Sequence, residues 1–170
     1  MRETLTTRFR KVAVGGTFGR LHSGHLHLLE KAFDVGDEVI IGLVTDELLK
    51  RYPKEHRIAS YAYRKTQLLR CLSTLGVAPR ASIVPLNDAY GPTTTDGSIE
   101  ALVVSRETDY RSREINDLRI ARGLKPLIVV VVEMVLAEDR LPISTTRIER
   151  AEIDRDGHLL HKESSRTIGA

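Results

Sequence analysis

The stretch that decides the fold is residues 11–25, KVAVGGTFGRLHSGH. Its first five residues form a short apolar run that ends in glycine, which predicts a β-strand. The glycine-rich residues that follow predict a turn. Beyond the turn, Leu26, Leu29 and Phe33 recur at spacings of three and four, which predicts a helix over 25–33.

The same alternation of strand and helix continues along the chain. Four further strands are predicted at 38–44, 81–86, 101–105 and 127–132, and three further helices at 60–75, 112–122 and 144–152. Apolar strands that alternate with helices predict an α/β fold, a Rossmann-like doubly wound sheet of five parallel strands covered on both faces. The length of 170 residues suits one domain over 1–170. We expect a core over about 11–157 and a flexible polar tail from about Asp156.

The composition is that of an ordinary globular domain. Hydrophobic residues make up 41% of the chain, and 26 basic against 23 acidic side chains give a net charge of +3. The pI of about 9.1 invites a nucleic-acid interpretation, but this net charge is too small to support it. Aromatic residues are scarce, at 5%, and tryptophan is absent, which disfavours a stacking platform for single strands. We therefore expect no nucleic-acid partner.

The sequence also predicts no membrane association. The longest apolar run, Leu127–Val132, is far shorter than the roughly 20 residues that a spanning helix needs. Residues 1–11 are polar and basic and lack the apolar segment of a secretory signal. Cys71 is the only cysteine, which excludes an intrachain disulfide framework and any zinc site with several cysteines. These features predict a cytoplasmic protein.

In a doubly wound sheet, ligands bind beyond the carboxyl ends of the strands, where the strand order reverses. This rule directs attention to the segments that follow the predicted strands. They are Gly15–His25, Thr45–Lys50, Leu86–Gly97, Ser105–Thr108 and the stretch before Ser144.

Gly15–His25 has the parts of a phosphate site. It is neither a Walker A loop nor a Rossmann GxGxxG motif. Its two leading glycines allow a close approach of the backbone to a ligand, and Thr17 adds a hydroxyl. His22 and His25 flank the start of a helix, where anions are favoured and imidazoles can donate to phosphate oxygens. We expect the glycine between them to remove a Cβ that would block a nucleotide. The alternatives are a plain helix cap, or half of a metal site with His27, which the lack of a carboxylate partner disfavours.

A second candidate lies late in the chain, at Pro142–Ile148. Ser144 is a good N-cap, Thr145 and Thr146 bring hydroxyls into the first turn, and Arg147 adds a cation. Together they could hold the β- and γ-phosphates of a nucleotide. The alternative is an ordinary capped surface helix.

These motifs resemble those of the nucleotidylyltransferase superfamily. Gly15–Phe18 followed by His22–His25 resembles its His-x-Gly-His signature, and Ile143–Arg147 resembles its second motif. Tyr90–Thr93 and Val103–Thr108 are similar to segments of the archaeal type of phosphopantetheine adenylyltransferase. The resemblance implies the nucleotidylyltransferase fold. It also implies transfer of an adenylyl group from ATP to 4′-phosphopantetheine, which yields dephospho-coenzyme A and pyrophosphate in coenzyme A biosynthesis. Mg²⁺ would arrive on the ATP, with no protein ligands of its own.

Matching the motif positions assigns residues to roles. The implied catalytic residues are His22, His25, Lys50 and Arg147. The implied ATP contacts are Gly15, Gly16, Thr17, Phe18, His22, His25, Ser105, Glu107, Asn116, Ser144, Thr145, Thr146 and Arg147. The implied phosphopantetheine contacts are Thr17, Lys50, Asp88, Tyr90, Gly91 and Pro92. For Lys50, a solvated helix lysine is the alternative.

Two positions depart from the family pattern, and two other functions stay open. Gly19 and Arg106 stand where relatives carry acidic residues, and Arg106 could engage phosphate or face water. The acceptor could instead be nicotinamide mononucleotide, flavin mononucleotide, or glycerol 3-phosphate with CTP. A non-catalytic nucleotide- or RNA-binding module is the other alternative. The sequence does not set an oligomeric state.

Overall fold

The computed structural model describes residues 9–54 and 56–160, and the structural statements below refer to these residues. The strands are β1 (Phe9–Gly16), β2 (Gly36–Val44), β3 (Ala81–Leu86), β4 (Ala101–Ser105) and β5 (Ile128–Val132). The α-helices are α1 (Ser23–Val35), α2 (Asp46–Arg51), α3 (Tyr61–Thr74), α4 (Tyr110–Ala121) and α5 (Thr145–Glu149). Two 3₁₀ turns cover Ala78–Arg80 and Gly91–Thr94.

The strands form one parallel sheet in the order β3-β2-β1-β4-β5. The chain runs outward from β1 to β3, returns to place β4 beside β1, and continues to β5. The strand order therefore reverses between β1 and β4, whose carboxyl ends open a crevice at the top of the sheet. The predicted fold class, a five-stranded parallel sheet with flanking helices, is confirmed.

Helices cover both faces of the sheet because side chains alternate along each strand. From β1, Val12 and Val14 point to one face, where they pack in a cluster with Leu29 of α1 and Leu68 of α3. Ala13 points to the other face and packs in a second cluster that includes Ile115 of α4. The middle strand is thus buried on both sides, which explains its continuous apolar run.

The last part of the described chain differs from the prediction. The helix expected over 144–152 ends at Glu149, because Ala151 adopts a left-handed backbone conformation (φ 53°) that a helix cannot contain. Beyond it, Ile153 bridges to Leu159, and Gly157 is buried against the small cluster around Ile143. The segment through residue 160 is therefore bonded to the domain. Residues 161–170 of the expected tail lie outside the described residues.

Three smaller differences concern the element bounds. α1 begins two residues earlier than predicted, at Ser23. α2 was not predicted as a helix, because six residues are too few to show a helical period. The loop predicted over 87–97 contains a 3₁₀ turn. No helix in the described ranges combines the length and the apolar character that crossing a membrane requires.

Candidate active site

The turn after β1 is shaped by Phe18. This residue has a left-handed backbone (φ 47°), which is costly for a residue with a bulky side chain. The turn directs its ring into the core, where 2% of the residue is exposed and the ring lies 5.3 Å from that of His25. A Cβ on Gly16 would lie only 3.2 Å from the same ring. Of the predicted ATP contacts, Phe18 can therefore face a ligand only through its main chain.

The two histidines of the first motif cap α1. His22 is the N-cap residue, and its Nδ1 accepts a hydrogen bond from the N–H of Gly24 at 3.1 Å. The Nδ1 of His25 accepts from the N–H of His22 at 3.3 Å. The arrangement is a capping box in which imidazoles replace the usual hydroxyl and carboxylate. Because each Nδ1 accepts, each neutral ring carries its proton on Nε2.

Both imidazoles are neutral at pH 7. Burial, followed by the charge of Arg155, lowers the pKa of His22 from 6.5 to about 4. Burial, followed by the neighbouring His22, lowers the pKa of His25 to about 3. The ring centroids lie 3.8 Å apart. The backbone of Arg20 also bonds to the ring of His25, which raises its pKa and so acts against these two effects. The site therefore presents two adjacent, uncharged imidazoles, of which that of His25 already has this backbone partner.

Gly24 leaves room for the first of these rings. A Cβ at this position would lie 2.9 Å from Cε1 and 3.0 Å from Nδ1 of His22. The sequence predicted that this glycine clears space for a nucleotide. In the structure, the atoms that such a Cβ would meet first belong to His22 itself.

The segment that contains Arg155 and Asp156 is hydrogen-bonded to the start of α1. The N–H of Ser23 donates to the carbonyl of Arg155 at 3.0 Å, and its hydroxyl bonds to the carboxylate of Asp156 at 3.2 Å. These bonds join residues that are 132 and 133 positions apart in the chain. The middle of the His-x-Gly-His motif is thus fixed by a distant part of the sequence.

The structure brings the two predicted motifs together. A Cβ on Gly24 would lie 3.9 Å from the carbonyl oxygen of Ile143, and one on Gly19 would lie 3.9 Å from Thr145. Ser144 is the N-cap of α5, as predicted from its residue type, and its Oγ accepts from the N–H of Arg147 at 3.3 Å. The hydroxyl-bearing start of α5 therefore adjoins the turn after β1.

Arg147 is bound by other parts of its own segment. Its guanidinium donates to the carboxylate of Asp139, and its Nε donates to Glu152 at 3.1 Å. Its Nη1 also donates to the carbonyl oxygens of Leu141 and Pro142, at 3.4 and 3.2 Å. These partners use most of the guanidinium donors. In the structure Arg147 holds the loop that leads into α5, and its contact with phosphate stays a prediction.

A cavity of about 710 Å³ lies in the crevice between β1 and β4. The turn after β1, the end of α2, the loop after β3 and the start of α4 all contribute to its walls. Among the residues that line it are Gly15, Gly16, Thr17, Leu49, Arg51, Asp88, Tyr90, Pro92, Thr108, Arg111 and Glu114. Four of the predicted acceptor contacts thus share one cavity. Lys50 is exposed on α2, between two of the lining residues.

The loop after β3 is fixed by its own polar groups. The carboxylate of Asp88 accepts from the N–H groups of Tyr90 and Gly91, at 2.8 and 2.7 Å. The hydroxyl of Tyr90 donates to Glu114 of α4 at 2.5 Å, and this bond raises the pKa of Tyr90. Sequence reasoning missed Glu114, because only the fold brings α4 beside this loop.

A buried arginine that the sequence did not indicate supports the same loop. Arg119 of α4 is 1% exposed, and it donates to the carbonyl oxygens of Thr93 at 2.6 Å and Asp96 at 3.0 Å. It also reaches the carbonyls of Ile99 at 3.3 Å and Lys125 at 2.7 Å. Carbonyls that would otherwise be buried without partners are satisfied by this one side chain.

The predicted adenosine contacts separate into two groups. Ser105 ends β4, with its hydroxyl 3.1 Å from that of Thr108, and Glu107 is exposed in the next turn. Asn116, in contrast, bonds to both the N–H and the carbonyl of Leu127, at 2.7 and 3.0 Å. Leu127 precedes β5, at the opposite end of the sheet from the crevice. The prediction that Asn116 contacts ATP is corrected accordingly.

The charge at Arg106 also has a partner within the chain. Its guanidinium pairs with the carboxylate of Glu133, which follows β5, and both side chains are largely exposed. The sequence left two interpretations for Arg106, phosphate binding or exposure to water. The side chain is exposed, and it also forms this ion pair, which neither interpretation included.

Comparisons with known proteins agree with this geometry. The model of the cytidylyltransferase-like family matches residues 13–151. A phosphopantetheine adenylyltransferase of Methanosarcina mazei is 45% identical over 152 residues, which cover 88% of this chain and 96% of that protein. One of Methanopyrus kandleri is 44% identical over 151 residues, covering 89% of this chain and 95% of that protein.

Solved structures give the same fold. A crystal structure of a protein of unknown function from Archaeoglobus fulgidus is similar with a TM-score of 0.63 and 31% sequence identity. The similarity covers 72% of this chain and 97% of that one.

Proposed function

Because the chain belongs to the archaeal phosphopantetheine adenylyltransferases of the cytidylyltransferase-like family, we propose that its reaction takes place in the crevice between β1 and β4. The enzyme is a nucleotidyltransferase of coenzyme A biosynthesis that transfers the adenylyl group of ATP to 4′-phosphopantetheine. The resemblance drawn from the sequence motifs is confirmed. The roles of individual residues below are our proposal.

The reaction forms one phosphorus–oxygen bond and breaks another. An oxygen of the acceptor phosphate attacks the α-phosphorus of ATP, and the bond to the β-phosphate breaks, which releases pyrophosphate. A phosphate is already ionised near pH 7, so the attack needs no general base. The protein then contributes position and stabilisation of the charge that builds on the α-phosphate.

The observation that carries this proposal is the pair of imidazoles at the start of α1. Their Nδ1 atoms are used by the capping box. The Nε2–H of His22 is the donor we assign to the reaction. The ring of His25 also bonds to the backbone of Arg20 and would exchange that bond for one to substrate. His22 donates to the α-phosphate as negative charge develops, and His25 donates to the neighbouring triphosphate oxygens. Fixed donors of this kind need no reorganisation during the reaction.

The start of α5 receives the leaving group. The hydroxyls of Ser144, Thr145 and Thr146 bind the departing pyrophosphate beside the turn after β1. Arg147 supports these hydroxyls through its bonds to the preceding loop. Lys50 neutralises the two reacting phosphates from α2.

The cavity holds the rest of the acceptor. The loop containing Asp88, Tyr90, Gly91 and Pro92 covers the pantetheine arm, and Thr17 binds the phosphate end. Ser105 and Glu107 lie at the end of β4, where adenosine binds.

We propose that the divalent ion of the reaction is carried to the site by the nucleotide. Across 9–54 and 56–160, no group of three or more His, Cys, Asp and Glu side chains could hold a metal ion. Mg²⁺ keeps several waters and is commonly held through substrate phosphates, so it does not require such a group. When bound, it neutralises charge on the triphosphate. With a single cysteine in the chain, we place the enzyme in the cytoplasm.

Pyrophosphate release tests the function. The purified protein is incubated with ATP, or with CTP, and each of four acceptors: 4′-phosphopantetheine, nicotinamide mononucleotide, flavin mononucleotide and glycerol 3-phosphate. We expect release with ATP and 4′-phosphopantetheine. Release with another acceptor and none with phosphopantetheine would contradict the acceptor, and salt-sensitive RNA binding with no release would favour the binding module.

A further inference from the structure

Arg64 of α3 is fully buried and uses its guanidinium to bind three separate segments. None of its residue surface is exposed. Its Nη1 donates to the carbonyl oxygens of Thr17 and Val44, each at 2.8 Å. Its Nη2 donates to Asp46 Oδ1 at 2.9 Å, and its Nε donates to the carbonyl of Ala59 at 2.8 Å.

These partners lie on the elements that border the crevice. Thr17 belongs to the turn after β1, and Val44 is the last residue of β2. Asp46 opens α2, and its carboxylate also accepts from the N–H of Tyr61, at 2.8 and 3.0 Å, at the start of α3. This N–H and the Arg64 guanidinium hold the pKa of Asp46 below its ordinary value. One side chain thus joins the turn after β1 to the first turn of α2.

The orientation of α2 depends on such bonds. The helix has six residues, too few to be stable by itself in water. Its remaining anchor at this end is Thr45, whose hydroxyl caps the helix and whose N–H donates to Leu86 of β3. Lys50 lies one turn after Asp46, so the base of its side chain moves with Asp46. Its positive charge also acts on the Asp46 carboxylate and helps to lower that pKa.

We propose that Arg64 is a positioning residue for adenylyl transfer: it sets the separation between Thr17 and Lys50, between which the acceptor phosphate is held. This inference rests on the proposed function. Arg64 is absent from the cavity wall, so it acts through these two residues and does not touch the substrates. A change in their separation lowers the rate of the in-line attack more than it lowers ATP binding, because in the proposed mechanism ATP is held by α1, α5 and the end of β4.

The first measurement is the steady-state kinetics of Arg64→Lys. A lysine keeps the charge but cannot reach four acceptors in different directions. We expect kcat to fall about 10²-fold, as misplacement by an ångström can produce, while KM for ATP stays within about threefold. Arg80→Lys is the matched control. Arg80 also donates to main-chain carbonyls, of Phe33 at 2.6 Å and Gly36 at 3.3 Å, but at the opposite end of the sheet. It should keep the wild-type kcat.

A double-mutant cycle separates positioning from general support. Arg64→Lys is combined with Lys50→Ala, which removes the group that Arg64 is proposed to position. If the two act as a unit, Arg64→Lys should cost less than about threefold in the Lys50→Ala background. The proposal would be overturned if the fold losses of kcat in the two single variants multiply fully in the double variant. It would also be overturned if Lys50→Ala alone keeps the wild-type kcat.

A second variant covers the case in which Arg64→Lys does not fold. Asp46→Asn keeps an oxygen acceptor for Tyr61 and Arg64 but removes the charge, and it should show a smaller loss of kcat with the same coupling to Lys50→Ala. Wild-type kcat in Asp46→Asn and in any folded Arg64→Lys would refute the positioning role. Absence of pyrophosphate release by the wild-type enzyme with phosphopantetheine would instead refute the proposed function.

Discussion

In the proposed mechanism, the ring of His22 serves both the helix and the reaction. Its Nδ1 caps α1 through the N–H of Gly24, while its Nε2–H stays available to a phosphate. The capping bond therefore also fixes the tautomer and orientation of the group that we propose donates to substrate.

We predict that His22→Asn separates these two roles. Asparagine is among the best N-cap residues, so the free energy of unfolding should change by less than about 1 kcal/mol. Its shorter side chain cannot place a donor where Nε2–H lies, so kcat should fall about 10²- to 10³-fold. Urea denaturation and pyrophosphate release measure the two quantities.

The control for this variant is His27→Asn, on the exposed side of α1. It should keep both stability and kcat. Wild-type turnover in His22→Asn would show that capping is the only role of His22.

For single residues, the sequence predicted where the candidate site residues lie better than it predicted which partners they bond. The spacing of His22 and His25 predicted a pair at a helix start, and the structure places it there. That Arg147 is occupied by Asp139 and Glu152 could not be predicted, because these partners are supplied by turns whose path follows no simple period.

Among the elements, the loop after β3 depends most on a single side chain. Arg119 satisfies carbonyl oxygens of Thr93, Asp96 and Ile99 from the buried side of α4. Tyr90 and Ile99 pack against the cluster that contains Ile115, and these bonds hold the backbone between them. A charged side chain with a central structural role could not be distinguished in the sequence from the exposed arginines that surround it.

We predict that Arg119→Met lowers the free energy of unfolding by about 3–5 kcal/mol, because it leaves several buried carbonyl oxygens without a donor. Chemical denaturation measures this loss. Arg122→Met is the matched control. Arg122 is exposed and bonds only one of the loop's carbonyls, that of Thr94 at 2.9 Å. Its loss should stay below about 1 kcal/mol, and equal losses in the two variants would contradict the argument.

For the whole molecule, the alternation of strands and helices was enough to predict a parallel sheet with two covered faces. The edge at which ligands bind followed from the same pattern, because carboxyl ends of parallel strands share one edge. The bounds of α2 and α5 were not predictable, since elements of five or six residues show no helical period. The path of 150–160 was also missed, because it is set by single bonds to distant residues.

We predict that the protein loses stability when the pH falls from 7 to 5. His22 and His25 have folded-state pKa values near 4 and 3 but titrate near 6.5 when unfolded. The unfolded chain therefore binds more protons in this window, which lowers the free energy of unfolding as the pH falls. The midpoint of urea unfolding, measured at both pH values, reports the change.

His22→Asn should reduce this dependence, since it removes one of the two histidines. His158 acts in the opposite sense, because its bond to Asp154 raises its pKa and adds stability at low pH. His158→Asn should therefore enlarge the drop between pH 7 and 5. An unchanged drop in both variants would show that other groups control it.

The bonds from Ser23 to Arg155 and Asp156 have a consequence for the folding of the enzyme. We expect contacts between residues 132 and 133 positions apart to form late, once the intervening chain is in place. An incomplete or partly folded chain lacks this closure and the neighbouring start of α5. In the proposed mechanism such a chain has no competent centre with which to consume ATP, so we expect catalysis to begin only when folding of the domain is complete.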